Sequence, residues 1–110
     1  SITIWADRTL VEQVLINLVK NAVEALEDAD EPKIILSCGT HDERAFIEIS
    51  DNGPGMDDKL LDQIFVPFFS TKSAGSGIGL SLSRQIMRAH QGKLQVHSGP
   101  GKGSSFRLIF

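Results

Sequence analysis

Leu10, Val11, Val14, Leu15, Leu18, Ala22, Ala25 and Leu26 recur at intervals of three and four, with no Gly or Pro among them. That spacing puts them on one face of an α-helix and predicts a helix from Arg8 to about Asp28. Asp7 heads it as an N-cap, its carboxylate placed to accept from first-turn N–H groups, after a short extended stretch from Ser1 to Ala6. The acidic run from Glu27 to Glu31 and Pro32 end it and read as a solvated loop. Ile34, Leu36 and Cys38 then share one alternating phase and Ala45, Ile47 and Ile49 another, predicting two strands around a hairpin turn at His41-Asp42-Glu43-Arg44. Asp57 to Phe65 reads as a short helix begun by Asp57 or Asp58, and Val66 to Ser76, without either period, as a mobile loop. Helical spacing returns at Leu80, Leu82, Ile86 and Ala89, predicting a helix from Ile78 to His90 that Gly92 stops. Leu94-Val96 and Phe106-Leu108-Phe110 alternate as two closing strands joined across Gly99 to Gly103. The order β-α-β-β-(α)-loop-α-β-β lets helices cover one face of a sheet. The expected fold is therefore α+β: a two-layer α/β sandwich with a mixed, mainly antiparallel sheet.

Composition narrows the function classes. The chain has 110 residues, enough for one domain that buries roughly two thirds of its unfolded surface. With 41% hydrophobic and 23% charged residues, it is neither disordered, collagen-like nor a coiled coil. A net charge of −3 supplies no general basic field for a nucleic-acid backbone. Cys38 stands alone, so no internal disulfide forms, which points to a reducing, cytoplasmic setting. No apolar run approaches the roughly 20 residues that cross a bilayer. The start at Ser1 and the stop at Phe110 inside a strand suggest a piece of a longer protein, with any sensing or membrane region elsewhere.

Chemistry concentrates in four places. Gln13, Asn17, Asn21 and Glu24 step by four, four and three residues, so they line one helical stripe roughly 5–6 Å apart at each step. An amide oxygen is a neutral hard ligand for Mg²⁺, which takes few protein ligands and keeps waters and phosphate oxygens; a solvated polar face is the alternative. Asp51-Asn52-Gly53-Pro54-Gly55-Met56 ends a strand. There a carboxylate in phase with the apolar residues needs donors, such as a purine amine, unless the segment is an ordinary strand-end turn. Gly75-Ser76-Gly77-Ile78-Gly79-Leu80 opens a helix whose free N–H groups and dipole suit an anion. Its G-x-G-x-G spacing matches neither the dinucleotide fingerprint nor a P-loop. Gly99 to Phe106 reads by itself as a plain hairpin with left-handed glycines.

Taken in order, Asn17-Leu18-Val19-Lys20-Asn21-Ala22, Asp51 to Met56, Phe65-Val66-Pro67-Phe68-Phe69, Gly77-Ile78-Gly79-Leu80 and Gly101-Lys102-Gly103-Ser104-Ser105-Phe106 closely resemble the N, G1, F, G2 and G3 boxes of sensor histidine kinases. The chain looks like the catalytic and ATP-binding domain of such a kinase, within the wider GHKL family of the Bergerat fold that includes gyrase, Hsp90 and MutL. The resemblance covers nearly all of Ile4 to Phe110 and is greatest to kinases of the nitrogen-regulation and dicarboxylate-sensing type.

That resemblance implies ATP and Mg²⁺ as ligands and assigns roles. Asp51 would accept from the adenine amine, with Gly53, Gly55 and Met56 beside the ring and Ser104 near it. Asn21 would coordinate Mg²⁺, and Asn17 would lie near the phosphates. Val66 to Ser76 would be the ATP lid, with Phe68 and Phe69 packing it and Lys72 contacting phosphate. Gly75, Gly77, Gly79 and Leu80 would shape the lid's end and the phosphate-facing helix start. The expected catalytic set is Asn17, Asn21 and Lys72. Gyrase-like ATPases carry a general-base Glu where this chain has Asn17, and an amide takes no proton from water. Many relatives carry Lys or Arg three residues after the Mg-binding Asn; here that place is Glu24, with Lys20 one residue before. The implied partners are a histidine-bearing dimerisation domain of the parent chain and the receiver domain of a response regulator, because His41, His90 and His97 lie in no phosphoacceptor-like helix. The domain alone should be a monomer touching neither nucleic acid nor membrane. A silent nucleotide-binding module, a GHKL ATPase and a Ser/Thr kinase on the same fold are the alternatives.

Overall fold

The computed structural model of the chain describes residues 4–69 and 79–110. Its elements are α1 (Arg8–Ala25), β1 (Ile34–His41), β2 (Arg44–Asp51), α2 (Asp58–Leu61), α3 (Gly79–Ala89), β3 (Lys93–Ser98) and β4 (Ser104–Ile109). The sheet runs β1-β2-β4-β3. All three pairings are antiparallel, so the parallel component of a mixed sheet is not found among the described residues.

Asp7 caps α1 as expected, its Oδ1 accepting from the Leu10 N–H at 3.0 Å. The helix stops at Ala25 rather than near Asp28, and Leu26 and Ala29 continue only as turns. The cause is electrostatic. The last turn carries no basic residue, so Glu24, Glu27 and Asp28 crowd negative charge onto the negative end of the helix dipole. α1 buries Val11, Val14, Leu18 and Ala22. Val14, Leu18 and Ala22 pack with Ile86 and Met87 of α3 onto Ile49, Phe106 and Leu108 of the sheet, and Ile64 closes the cluster.

β1 and β2 meet in a two-residue hairpin with His41 opposite Arg44. Asp42 and Glu43 both take positive φ, 51° and 65°, the backbone of a type I′ turn, which matches strand twist and here occurs without glycine. Ile34, Leu36 and Cys38 share the inner face with Asp51, Ile49 and Ile47. The helices do not reach over this edge strand, and Leu36 remains 61% exposed.

Three sequence expectations change in detail. Only one turn of the segment from Asp57 to Phe65 is α-helical; Asp57 caps it and turns follow. The buried stripe of α3 is Ser83, Ile86 and Met87 rather than Leu82 and Ala89. Finally, Gln91, at φ 60°, provides the left-handed residue that ends α3, and Gly92 follows it, its N–H donating to the Met87 carbonyl at 2.8 Å. That six-to-one bond is a Schellman closure.

Candidate functional site: an acceptor row and an amide stripe

Strand register assembles the first end of the site. Ile34, Asp51, Ser104 and Ser98 stand opposite one another across β1, β2, β4 and β3, one row on the inner face of the sheet. Asp51 ends β2, and its Oδ1 accepts from the Gly53 N–H at 2.9 Å, an Asx turn that swings the chain away from the sheet. One such bond leaves a carboxylate with further acceptor capacity.

Ser98 organises its neighbours. Its Oγ accepts from the Met56 N–H and donates to the Gly103 carbonyl, both at 2.8 Å. A hydroxyl has one proton, so the 2.8 Å contact between Ser98 Oγ and Ser104 Oγ is a donation by Ser104. Ser104 is left with lone pairs only. Two acceptors, Asp51 and Ser104, thus stand side by side, and the ligand edge that complements them carries N–H donors.

Backbone contacts hold this end. The Gly101 N–H donates to the Pro54 carbonyl at 2.7 Å. Gly55 (φ 72°) and Gly103 (φ 70°) bring the two glycine-rich segments together, since a Cβ on Gly55 would lie 1.9 Å from the Gly99 oxygen and one on Gly103 2.0 Å from the Asp51 oxygen. Asn52 faces the other way, accepting from the Lys33 N–H and donating to the Glu31 carbonyl. The open hollow there is lined by Asp28, Asp30 and Glu31, carboxylates that repel a phosphate.

From the Asp51 turn the site continues along α1. Buried Gly53 lies against Ala25, the last residue of the helix. Asn21 is one turn back and half-buried, and Asn17 is one turn further. Eight residues of helix separate Ala25 from Asn17, about 12 Å at 1.5 Å per residue.

The far end is polar and cross-linked. Asn17 Nδ2 donates to the Gly79 carbonyl at 3.4 Å and to Ser83 Oγ at 3.3 Å. Ser83, with no exposed surface, donates its own proton to the Gly79 carbonyl at 2.8 Å. On the other side, Asn17 Oδ1 accepts from Gln13 Nε2 at 3.3 Å. The amide stripe therefore ends on the first turn of α3, where free N–H groups and the positive dipole end favour an anion.

The family described as histidine kinase-, DNA gyrase B-, and HSP90-like ATPase matches residues 6–110. The chain belongs to that family. It is 46% identical over 104 residues to the signal transduction histidine-protein kinase AtoS of Escherichia coli (strain K12), covering 94% of this chain and 17% of that protein. Sporulation kinase A of Bacillus subtilis (strain 168) is 40% identical over 111 residues, 100% of this chain and 18% of that one. The C4-dicarboxylate transport sensor protein DctB of Rhizobium meliloti (strain 1021) is 37% identical over 102 residues, 93% of this chain and 16% of its own length. The chain thus spans less than a fifth of these relatives. Among solved structures, the nucleotide-free catalytic domain of the histidine kinase ThkA superposes with a TM-score of 0.81 at 36% identity, covering 96% of this chain and 68% of that one. The fold is accordingly the α+β GHKL sandwich of histidine kinase catalytic domains, and ATP binding is the general property of the family.

Within this histidine kinase-type domain, Asp51 and Ser104 share the acceptor row, and Asn17 and Gly79 meet at the far end. Met56 and Leu80 are half-buried against the core. Phe68 has φ 69° and is 79% exposed, so its ring is not packed among the described residues, whereas Phe69 is half-buried. Lys72, Gly75 and Gly77, with most of the expected lid, lie outside the described residues. His90 is a structural pin: its Nε2 accepts from the Asp7 N–H at 3.0 Å, so Nδ1 carries the proton given to the Ile86 carbonyl at 2.8 Å. Sequence reasoning passed over Ser83 and Ser98. Helical periodicity does place Ser83 in the buried stripe of α3, a signal that was present; nothing short of strand register marks Ser98.

Proposed function

We propose that this domain binds Mg-ATP and donates the γ-phosphate to a histidine on a separate dimerisation domain of the parent chain, for relay to an aspartate of a response-regulator receiver domain. Asp51 accepts from the adenine amine, with Gly53, Gly55 and Met56 bordering the ring and Ser104 contributing a second acceptor. Asn21 and Asn17 follow the nucleotide toward its phosphates, which meet Gly79 and Leu80 at the start of α3. Lys72, Gly75, Gly77 and Phe68 belong to the lid side of the same site.

The donor set suits Mg²⁺ arriving with the nucleotide. No group of three or more His, Cys, Asp or Glu able to hold a metal occurs among the described residues, whereas the Asn21 amide oxygen is a single hard ligand of the kind Mg²⁺ takes when phosphates and waters complete its shell. When bound, the ion neutralises charge on the phosphates. The chain's residues do the rest: Asn21 orients, Asn17 positions, and the first N–H groups of α3 hold phosphate oxygens, so transfer rests on placement and charge stabilisation.

The observation that carries transfer over hydrolysis is the side chain at Asn17. It is an amide, with its nitrogen committed as a donor to Gly79 and Ser83, so no general base stands there to activate water. No helix among the described residues is long and apolar enough to cross a membrane; the domain is proposed to work in the cytoplasm, as a monomer when isolated.

The test mixes the 110-residue chain, labelled ATP and Mg²⁺ with a histidine-bearing dimerisation domain. Acid-labile, base-stable label on that domain is expected. Release of free phosphate without transfer makes the chain an ATPase, and acid-stable label makes it a Ser/Thr kinase. Nucleotide binding with neither outcome makes it a silent module.

A further inference from the structure

Ser83 is a polar residue in an apolar setting. It has no exposed surface and sits on the same buried stripe of α3 as Ile86 and Met87. A buried hydroxyl in such a place is costly to leave unpaired, and this one is paired twice, as donor to the Gly79 carbonyl and as acceptor from Asn17 Nδ2. Donation four residues back along a helix is a common way for a serine to satisfy itself. The second bond is the unusual one, because it leaves α3 and reaches a site residue on α1.

The two bonds together determine which way the Asn17 amide faces. The Gly79 carbonyl only accepts, and Ser83 has given its one proton to that carbonyl. Both partners on the α3 side therefore demand a donor, and Asn17 must present its nitrogen there and its oxygen toward Gln13. Without the hydroxyl, only the longer 3.4 Å contact to Gly79 would hold the nitrogen. Gln13 is exposed and its bond is 3.3 Å, so it exerts little counter-pull.

We propose that Ser83 is a positioning residue for the phosphate end of the nucleotide site: it sets the orientation of Asn17 and ties that side chain to the first turn of α3. The inference rests on the reading that this end meets the phosphates. The orientation of one amide and the placement of the helix N-terminus then become a single property, carried by a residue that touches neither nucleotide nor metal.

The test is calorimetric binding of a non-hydrolysable ATP analogue with Mg²⁺ to wild type, Ser83→Ala, Asn17→Ala and the double variant, with thermal midpoints for each. One hydrogen bond's worth of orientation predicts about three- to tenfold weaker binding by Ser83→Ala. In the Asn17→Ala background the same change should have no further effect, because there is no amide left to orient. The side-chain ¹⁵N–¹H₂ signal of Asn17 should also shift in Ser83→Ala at unchanged fold. Wild-type affinity in Ser83→Ala, or losses that simply multiply in the double variant, would overturn the inference while leaving nucleotide binding intact. No binding by wild type at millimolar analogue overturns the nucleotide reading, and the inference with it. Should Ser83→Ala fail to fold, Ser83→Cys is read the same way, its weaker hydrogen bonds predicting an intermediate loss.

Discussion

Three glycines with nearly equal positive φ separate conformational strain from close packing. Gly55, Gly101 and Gly103 have φ of 72°, 75° and 70°, so alanine at any of them meets the same left-handed penalty, roughly 1–2 kcal/mol. Their surroundings differ. A Cβ on Gly101 meets nothing within 4 Å, whereas on Gly55 it lies 1.9 Å from the Gly99 oxygen and on Gly103 2.0 Å from the Asp51 oxygen. Both obstacles are backbone, so no side chain can swing aside. To reach even 3.0 Å, the Gly99 carbonyl would have to recede by about 1.1 Å, which strains the Gly101–Pro54 bond. Overpacking of that kind adds about 1–3 kcal/mol. Alanine also stiffens the unfolded chain, which returns roughly 0.4–1 kcal/mol at all three positions. The expected destabilisation is therefore about 1 kcal/mol for Gly101→Ala and about 2–4 kcal/mol for Gly55→Ala and Gly103→Ala. Urea unfolding followed by far-ultraviolet circular dichroism measures it; Trp5, the one tryptophan, is fully exposed and would report little. Analogue affinity should follow the same division, near wild type for Gly101→Ala and reduced for the other two, because Gly103 abuts the Asp51 backbone and Gly55 abuts Gly99 and Gly103. Equal losses at the three positions would refute the packing argument and leave conformation as the sole cause.

Other perturbations address the remaining parts of the site. Asp51→Asn replaces an acceptor with an amide that can present its nitrogen instead, and should abolish selective binding of adenine nucleotides in calorimetry; unchanged affinity removes Asp51 from the base site. Asn21→Ala should weaken analogue binding with Mg²⁺ more than without it, and an equal loss in both titrations would make Asn21 a packing residue only. His90→Ala removes the pin between α3 and the start of α1, lowering stability by about 1 kcal/mol while analogue affinity stays at the wild-type value; a lost affinity would mean that the two helix ends are coupled to the site.

Much of this architecture can be read from the chain because its signals are local. α1, its Asp7 cap and the alternating strands follow from periodicity. The phase of Ile47 and Ile49 carries Asp51 onto the inner face because side chains alternate along a regularly paired strand. What could not be read depends on partners distant in sequence. Ser98 matters because register sets it beside Ser104 and beneath Met56, and no pattern in β3 announces that. Ser83 is ordinary until α1 is packed against it. The Cβ direction of Gly55 is taken by the Gly99 carbonyl, a contact between two loops that no local pattern announces. Asp42 suits the first position of its turn, but Glu43 and Gln91 adopt left-handed conformations that turn and cap rules assign to Gly or Asn.

The two ends of the site differ in how closely they are tied. At the base end backbone meets backbone, with the Gly101 N–H on the Pro54 carbonyl, Gly55 against Gly99, and Gly103 against Asp51, and the Ser98 hydroxyl ties Met56, Gly103 and Ser104 together at 2.8 Å. Such contacts lock the loops to the sheet and, on the proposed reading, present fixed acceptors to the base. At the far end a side-chain amide joins α1 to α3 through bonds of 3.3 and 3.4 Å, longer than the usual N–H···O range. On the proposed reading, the shorter contacts hold the base and the longer ones lie where the phosphates arrive. Mutations at Gly55 or Gly103 should then lower affinity for every adenine nucleotide, whereas those at Asn17 or Ser83 should matter more as phosphates are added.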